Sequence, residues 1–147
     1  MSNQIIIAGL SLAVEKDWSD ITDELPSGSP ATLARPDGIG VLQFSAAAYK
    51  AGALPNIDDQ GLQRMLEAFG RERGFGEPKN VVALVGSSTA VCGDHLDGAG
   101  LVRAWYLTNG RDVALVTYVS LDRGSDLTTR ELAEVVKMVS SIQWTES

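Results

Sequence analysis

The chain has 147 residues, 44 % of them hydrophobic and 21 % charged, and its 12 Lys and Arg against 19 Asp and Glu leave a net charge of −7. A chain of this size buries roughly two-thirds of its unfolded surface on folding, which suits a single globular domain over residues 1–147. Disorder is excluded by the apolar content, and collagen-like or disulfide-stapled classes by the composition.

The acidic balance argues against a nucleic-acid binder, because phosphate contact needs clustered Lys and Arg. The densest basic stretch, Arg64, Arg71 and Arg73, is interrupted by Glu67 and Glu72. A peripheral membrane binder is disfavoured on the same ground. An acidic surface suits solubility, and it also suits a basic protein partner through electrostatic steering.

Residues 4–14 read as the first strand. Their apolar run of ten residues, 5–14, is too short to span a membrane, and with no Lys or Arg before it and no clear cleavage site after it, it makes a poor signal peptide. The expectation is a cytoplasmic protein. Residues 15–30 are polar and turn-rich, with Trp18 and Ile21 spaced to anchor the segment on the core through one helical turn. Strands at 31–35 and 39–45 flank Pro36-Asp37-Gly38, a hairpin signal in which Pro presets the turn and Gly takes the left-handed position. Residues 46–55 read as a loop.

A helix follows. Asp58 is a good N-cap, Ile57 and Leu62 fit a hydrophobic staple, and Leu62, Met65, Leu66 and Phe69 form one apolar stripe that ends at Gly70 or Gly74. The apolar run at 81–86 predicts a strand buried on both faces, with 89–93 as its neighbour. Cys92, the only cysteine, falls in that neighbour and reads as a small core residue. Strands at 101–107 and 112–121 are joined by Thr108-Asn109-Gly110-Arg111. Asn-Gly there predicts a hairpin that pairs Leu107 with Asp112, Trp105 with Ala114, Arg103 with Val116 and Leu101 with Tyr118. Both faces of that hairpin are apolar, so it should be central and covered on both sides. The last element is a helix, with Thr128 and Glu131 as a capping box, a stripe of Leu132, Val135, Val136, Val139 and Ile142, and Trp144 packed over an end of the sheet. Short strand-to-strand links make the sheet antiparallel. The predicted class is α+β, a three-layer α/β/α sandwich around a mainly antiparallel sheet of about six or seven strands.

Chemistry is sparse. His95 is the only histidine, read as part of a loop with Asp94 and Asp97. A catalytic reading would make it a base oriented by one of those acids, with Cys92 or a serine as nucleophile, but Gly86-Ser87-Ser88 lacks the glycine of a nucleophile elbow. One His and one Cys do not make a zinc site, and the acids do not follow a calcium-loop spacing. No glycine pattern cradles a phosphate; Gly98-Ala99-Gly100 leads into a strand rather than a helix. Asp58-Asp59 is explained by a helix N-terminus, and Asp23-Glu24 by a solvated segment. No cofactor or metal is expected.

The C-terminal third carries a resemblance. Trp105-Tyr106 on one strand, Ala114 to Tyr118 on the next, and a final helix running from Glu131 into Ser141-Ile142-Gln143-Trp144 resemble the Mog1/PsbP/DcrB-like fold. The likeness covers residues 100–144 best and the rest by element order, and its motifs are packing motifs. It implies an adaptor or assembly factor; Mog1 members bind a small GTPase, and DcrB and PsbP members are often exported. Gly40 to Ser45, followed by Tyr49-Lys50-Ala51-Gly52-Ala53-Leu54-Pro55, is similar to segments of compact bacterial immunity proteins. The expected function is therefore a non-enzymatic protein-binding domain, foremost an immunity protein that neutralises a cognate bacterial toxin. The alternatives are a Mog1/PsbP-type adaptor and a small-ligand or enzymatic domain centred on His95. The expected partner is a protein such as a basic toxin or effector domain, met by Asp20, Asp23, Glu24, Asp94, His95 and Asp97.

Overall fold

The computed structural model describes residues 3–7, 9–48, 58–85, 89–98, 100–109, 112–122 and 124–145. In chain order the elements are β1 (Asn3–Ile7), β2 (Leu10–Val14), β3 (Ser19–Asp20), a 3-10 turn (Thr22–Glu24), β4 (Ala31–Ala34) and β5 (Gly40–Ala48). They continue with α1 (Asp59–Arg73), β6 (Lys79–Val85), β7 (Thr89–Asp97), β8 (Gly100–Thr108), β9 (Asp112–Ser120), α2 (Asp126–Ser140) and β10 (Gln143–Trp144). The class is α+β. A seven-stranded sheet runs in the order β3-β4-β5-β9-β8-β7-β6, and a three-stranded sheet in the order β1-β2-β10. The strand pairs are antiparallel, which the short links require for sequence neighbours and which also holds for β5 with β9 and β2 with β10, far apart in the chain.

The run 4–14 is two strands, not one. Gly9, at φ 80°, turns the chain so that Ile7 pairs with Leu10. Leu10, Leu12 and Val14 then point into the same core as α2. Trp18 joins that core, and its Nε1 donates to Glu134 Oε1 of α2 at 2.8 Å.

β8 and β9 are central, as their two apolar faces require. Alternation sends Trp105, Leu107, Ala114, Val116 and Tyr118 into one cluster with Val135, Met138 and Val139 of α2. Val102, Ala104 and Val113 go into a second cluster with Leu62, Leu66 and Phe69 of α1. The register differs from the expected one by two residues: Leu107 pairs with Ala114, Trp105 with Val116, Arg103 with Tyr118 and Leu101 with Ser120. A shift of two preserves which face each side chain takes. Its local cause is Asn109, whose side-chain oxygen accepts from the Asp112 N–H at 2.8 Å and closes the strands one residue later.

α1 begins and ends as expected. Asp58 accepts from the Gly61 N–H at 2.9 Å, and Gly74, at φ 77°, caps the C-terminus. Ile57 and residues 49–55 lie outside the described residues, while β5 extends through Ala48 into the stretch read as loop. β6 is an edge strand rather than a doubly buried one: Val81 and Val82 are 38 % and 48 % exposed. An apolar run does not by itself distinguish a central strand from an edge.

α2 starts three residues earlier than a Thr128 cap allows. Ser125 is the N-cap and accepts from the Thr128 N–H at 3.2 Å. Thr128 and Glu131 are interior, and the buried stripe is Thr128, Glu131, Val135, Met138 and Val139, with Val136 turned to solvent. Glu131 sets that rotation. Its carboxylate is fully buried and accepts from the Ile39 N–H at 2.9 Å, the Gly40 N–H at 3.0 Å and the Tyr118 hydroxyl at 2.8 Å. Gly40 has no room for a side chain, because a Cβ there would lie 2.5 Å from the Tyr118 ring.

Candidate functional site

Six residues were singled out by sequence, and the fold divides them. Asp20, Asp23 and Glu24 are exposed, on β3 and the 3-10 turn at one edge of the large sheet. Asp20 Oδ1 accepts from the Thr22 N–H at 2.9 Å, which fixes the turn; Ile21 donates its N–H to Thr32 at 2.9 Å and ties the segment to β4. The exposed Asp17 precedes them at φ 76°. The stretch 15–28 holds five acids and one lysine, so it carries −4 of the chain's −7. None of these acids makes an ion pair among the described residues.

Asp94 and His95 are strand residues, not loop residues. β7 runs through Asp97, which pairs with Gly100 across a two-residue turn, and the Asp97 side chain lies outside the described residues. Asp94 faces Arg103 across β7 and β8 and is held by two hydrogen bonds, Arg103 Nε to Oδ1 at 2.6 Å and Nη2 to Oδ2 at 3.1 Å. That bond to Asp94 holds the Arg103 guanidinium above its ordinary pKa. Cys92 lies on the same face of β7, and burial pushes its thiol pKa up, away from the reactive thiolate. Asp94 is thus a buried carboxylate bound at both oxygens by Arg103, rather than a free loop acid.

His95 lies on the opposite face, under α1, and is 1 % exposed. Its ring is 5.3 Å from that of Phe69 and 5.7 Å from that of Phe75, and neither ring nitrogen has a hydrogen-bond partner among the described residues. Gly70 makes this approach possible: a Cβ there would collide with the Gly76 carbonyl and lie 3.1 Å from His95 Nε2. Burial lowers the His95 pKa, against a smaller opposing pull from Asp94. Asp94 points away from His95 on the other face of β7, so of the two acids that the catalytic alternative offers as orienting groups Asp94 does not pair with it, while the Asp97 side chain lies outside the described residues; Cys92 also lies across the sheet. Among the described residues, no group of three His, Cys, Asp or Glu comes together that could hold a metal ion. No described helix is long and apolar enough to cross a membrane.

Sequence reasoning missed a cleft of about 280 Å³ beside α1. Among the described residues, α1 packs on β7 and β8, and the cleft lies beside it over β5 and β9. Phe69 and Arg73 from the end of α1, with Phe75 just after it, form one wall. Val102, Leu115 and Val119 form an apolar floor, and Gln43, Ser45 and Thr117 a polar end, with Pro30 at the rim. The Arg73 guanidinium stacks 4.7 Å above the Phe69 ring. His95 does not line the cleft but stands behind Phe69 and Phe75. A signal existed in the sequence: Gln43, Ser45 and Thr117 are polar on the same face of otherwise apolar strands, and Gln43 pairs directly with Thr117. Such residues mark a face left uncovered.

No family model and no curated protein matches this sequence. Among solved structures, the chain is similar to a crystal structure from Bacteroides thetaiotaomicron VPI-5482, with a TM-score of 0.66 and 12 % identity. The match covers 99 % of this chain and 49 % of that one, so the chain spans about half the length of its structural neighbour. At that identity the likeness is one of fold.

Proposed function

We propose that this chain is a non-enzymatic protein-binding domain, a three-layer sandwich of α1, the large sheet, and α2 with the small sheet, and that it serves as an immunity protein neutralising a bacterial toxin in the cytoplasm. The observation that supports this reading is the acidic edge. The segment 15–28 concentrates −4 of charge, and Asp17, Asp20, Asp23 and Glu24 are exposed there. Substrate clefts that handle phosphate or nucleotides are lined with Lys and Arg, so exposed acids on a sheet edge are complementary to them in charge. Its attraction acts over a Debye length of roughly 8 Å at physiological ionic strength, which steers the encounter more than it holds the complex.

The test is affinity capture from the native host with wild-type protein and with the triple variant Asp20→Lys, Asp23→Lys, Glu24→Lys, followed by kinetics with the purified partner. The reading expects an enzyme with a basic cleft, inhibited on binding, whose association slows by roughly tenfold or more from low to high salt. The triple variant should slow it comparably at low salt. An association rate flat across salt, or a triple variant that binds as the wild type does, would remove the acidic edge from the interface.

A further inference from the structure

We propose that the cleft beside α1 is a small-molecule site for a bicyclic aromatic carboxylate. The size selects the ligand's body. A cavity of about 150 Å³ holds a benzene ring, so 280 Å³ admits about two fused rings. The lining suits a flat ring system: Phe69 and Phe75 line one wall, and Leu115 and Val119 give an apolar floor.

Arg73 selects the charge. Stacking on Phe69 holds its planar guanidinium at the rim, with the edge N–H groups free of any ion-pair partner among the described residues. In a chain with 19 acids and 12 bases, a cation over a cleft and without an ion-pair partner among the described residues is suited to a carboxylate brought by the ligand. A guanidinium fork matches a carboxylate with two parallel hydrogen bonds. Gln43 and Thr117 at the far end, paired across β5 and β9, can bond a ring nitrogen or hydroxyl. The cleft lines the face of the sheet opposite Glu131 and includes none of the acids of the acidic edge, so it does not depend on the protein-binding reading.

The experiment is titration of the full chain with 2-naphthoate and with neutral 2-naphthamide, by calorimetry and by amide chemical-shift mapping. Expected are one-to-one binding of 2-naphthoate, tighter than the amide by about tenfold, and shifts confined to residues 43–45, 69–75 and 115–119. Arg73→Gln, at an exposed position, should abolish the preference for the carboxylate and leave 2-naphthamide unchanged. Ser45→Trp should fill the cleft and block both. The proposal is overturned if 2-naphthoate does not bind at millimolar concentration, if shifts in the wild type fall elsewhere, or if Arg73→Gln keeps the preference. Mapping on the wild type needs no variant, so misfolding of Ser45→Trp would leave the decision intact.

Discussion

Two polar side chains are fully enclosed on opposite sides of one sheet, and they are treated oppositely. Glu131, under α2, accepts hydrogen bonds from two backbone N–H groups and one hydroxyl. His95, under α1, has a partner on neither ring nitrogen among the described residues. The carboxylate ties α2, the β4–β5 turn and β9 into one unit, and it fixes the rotation of the helix. Among the described residues the imidazole is held by aromatic packing and meets Gly70, and there the α1 side contains an unmet donor that costs stability without specifying geometry. The α2 side is thus locked, and the α1 side is the looser one, with an open cleft next to the loose point.

The largest expected effect lies on the locked side. Trp105 is 2 % exposed in the α2 cluster, so Trp105→Ala should cost about 3–5 kcal/mol in urea unfolding. A loss below about 1 kcal/mol would place that strand at a surface.

Glu131→Gln comes next. Oε1 serves Gly40 and Tyr118, and Oε2 serves Ile39, so either orientation of an amide puts an NH₂ against a donor. The expected cost is about 1–3 kcal/mol. A neutral result would mean that the three donors find other partners. Tyr118 shares this pocket: burial, with the bond to Glu131, holds its phenol far above the ordinary pKa. Its absorbance should therefore show no phenolate until the fold is lost in alkali.

On the loose side, His95→Leu should change stability at neutral pH by less than about 1 kcal/mol, or increase it, because an unmet polar group is replaced by an apolar one. The wild type should show a pH dependence that the variant lacks. The folded His95 pKa is below the unfolded value of 6.5, so the unfolded chain binds the proton first as pH falls. Stability is therefore flat above pH 6.5 on this group's account, declines as pH drops below 6.5, and levels off once the folded pKa is passed. Equal slopes for wild type and His95→Leu just below pH 6.5 would contradict the assignment. If His95→Leu instead abolished biological activity with the melting temperature unchanged, the non-enzymatic reading would fall.

The smallest effect on stability belongs to the acidic edge. Reversing Asp20, Asp23 and Glu24 touches exposed side chains, with the two exposed bonds from Thr22 to Asp20 at stake, so the change should stay within roughly 1 kcal/mol in urea unfolding. A larger loss would show that these acids stabilise the fold rather than face a partner.

Local patterns in the sequence reached the elements but not their partners. The Asp58 cap, the α1 stripe and the β4–β5 hairpin are set by residues a few positions apart and form where expected, but Gly38 is not in the left-handed region expected of it; a Cβ there would instead lie 2.5 Å from the Glu131 carboxylate. Thr128 and Glu131 have capping-box spacing, yet Glu131 is claimed by Ile39 and Gly40, some ninety residues away in sequence. Nothing local distinguishes a cap glutamate from a buried anchor. His95 looked like a loop residue because glycines and aspartates surround it, but pairing of Asp94 with Arg103 extends the strand through it. The cleft depends on how far α1 reaches across the sheet, a property of packing that no single segment encodes. Only the polar positions Gln43, Ser45 and Thr117 hinted at it.

The contrast between the two sides is tested most directly by native-state hydrogen exchange, read amide by amide at neutral pH. The account predicts that the slowest amides of α2 and of the Ile39–Gly40 turn exchange only with global unfolding, while those of α1 around Phe69 and Gly70 exchange through a smaller opening. If the α1 amides were as slow as those of α2, the unpartnered imidazole would not mark a loose side, and the comparison would fail.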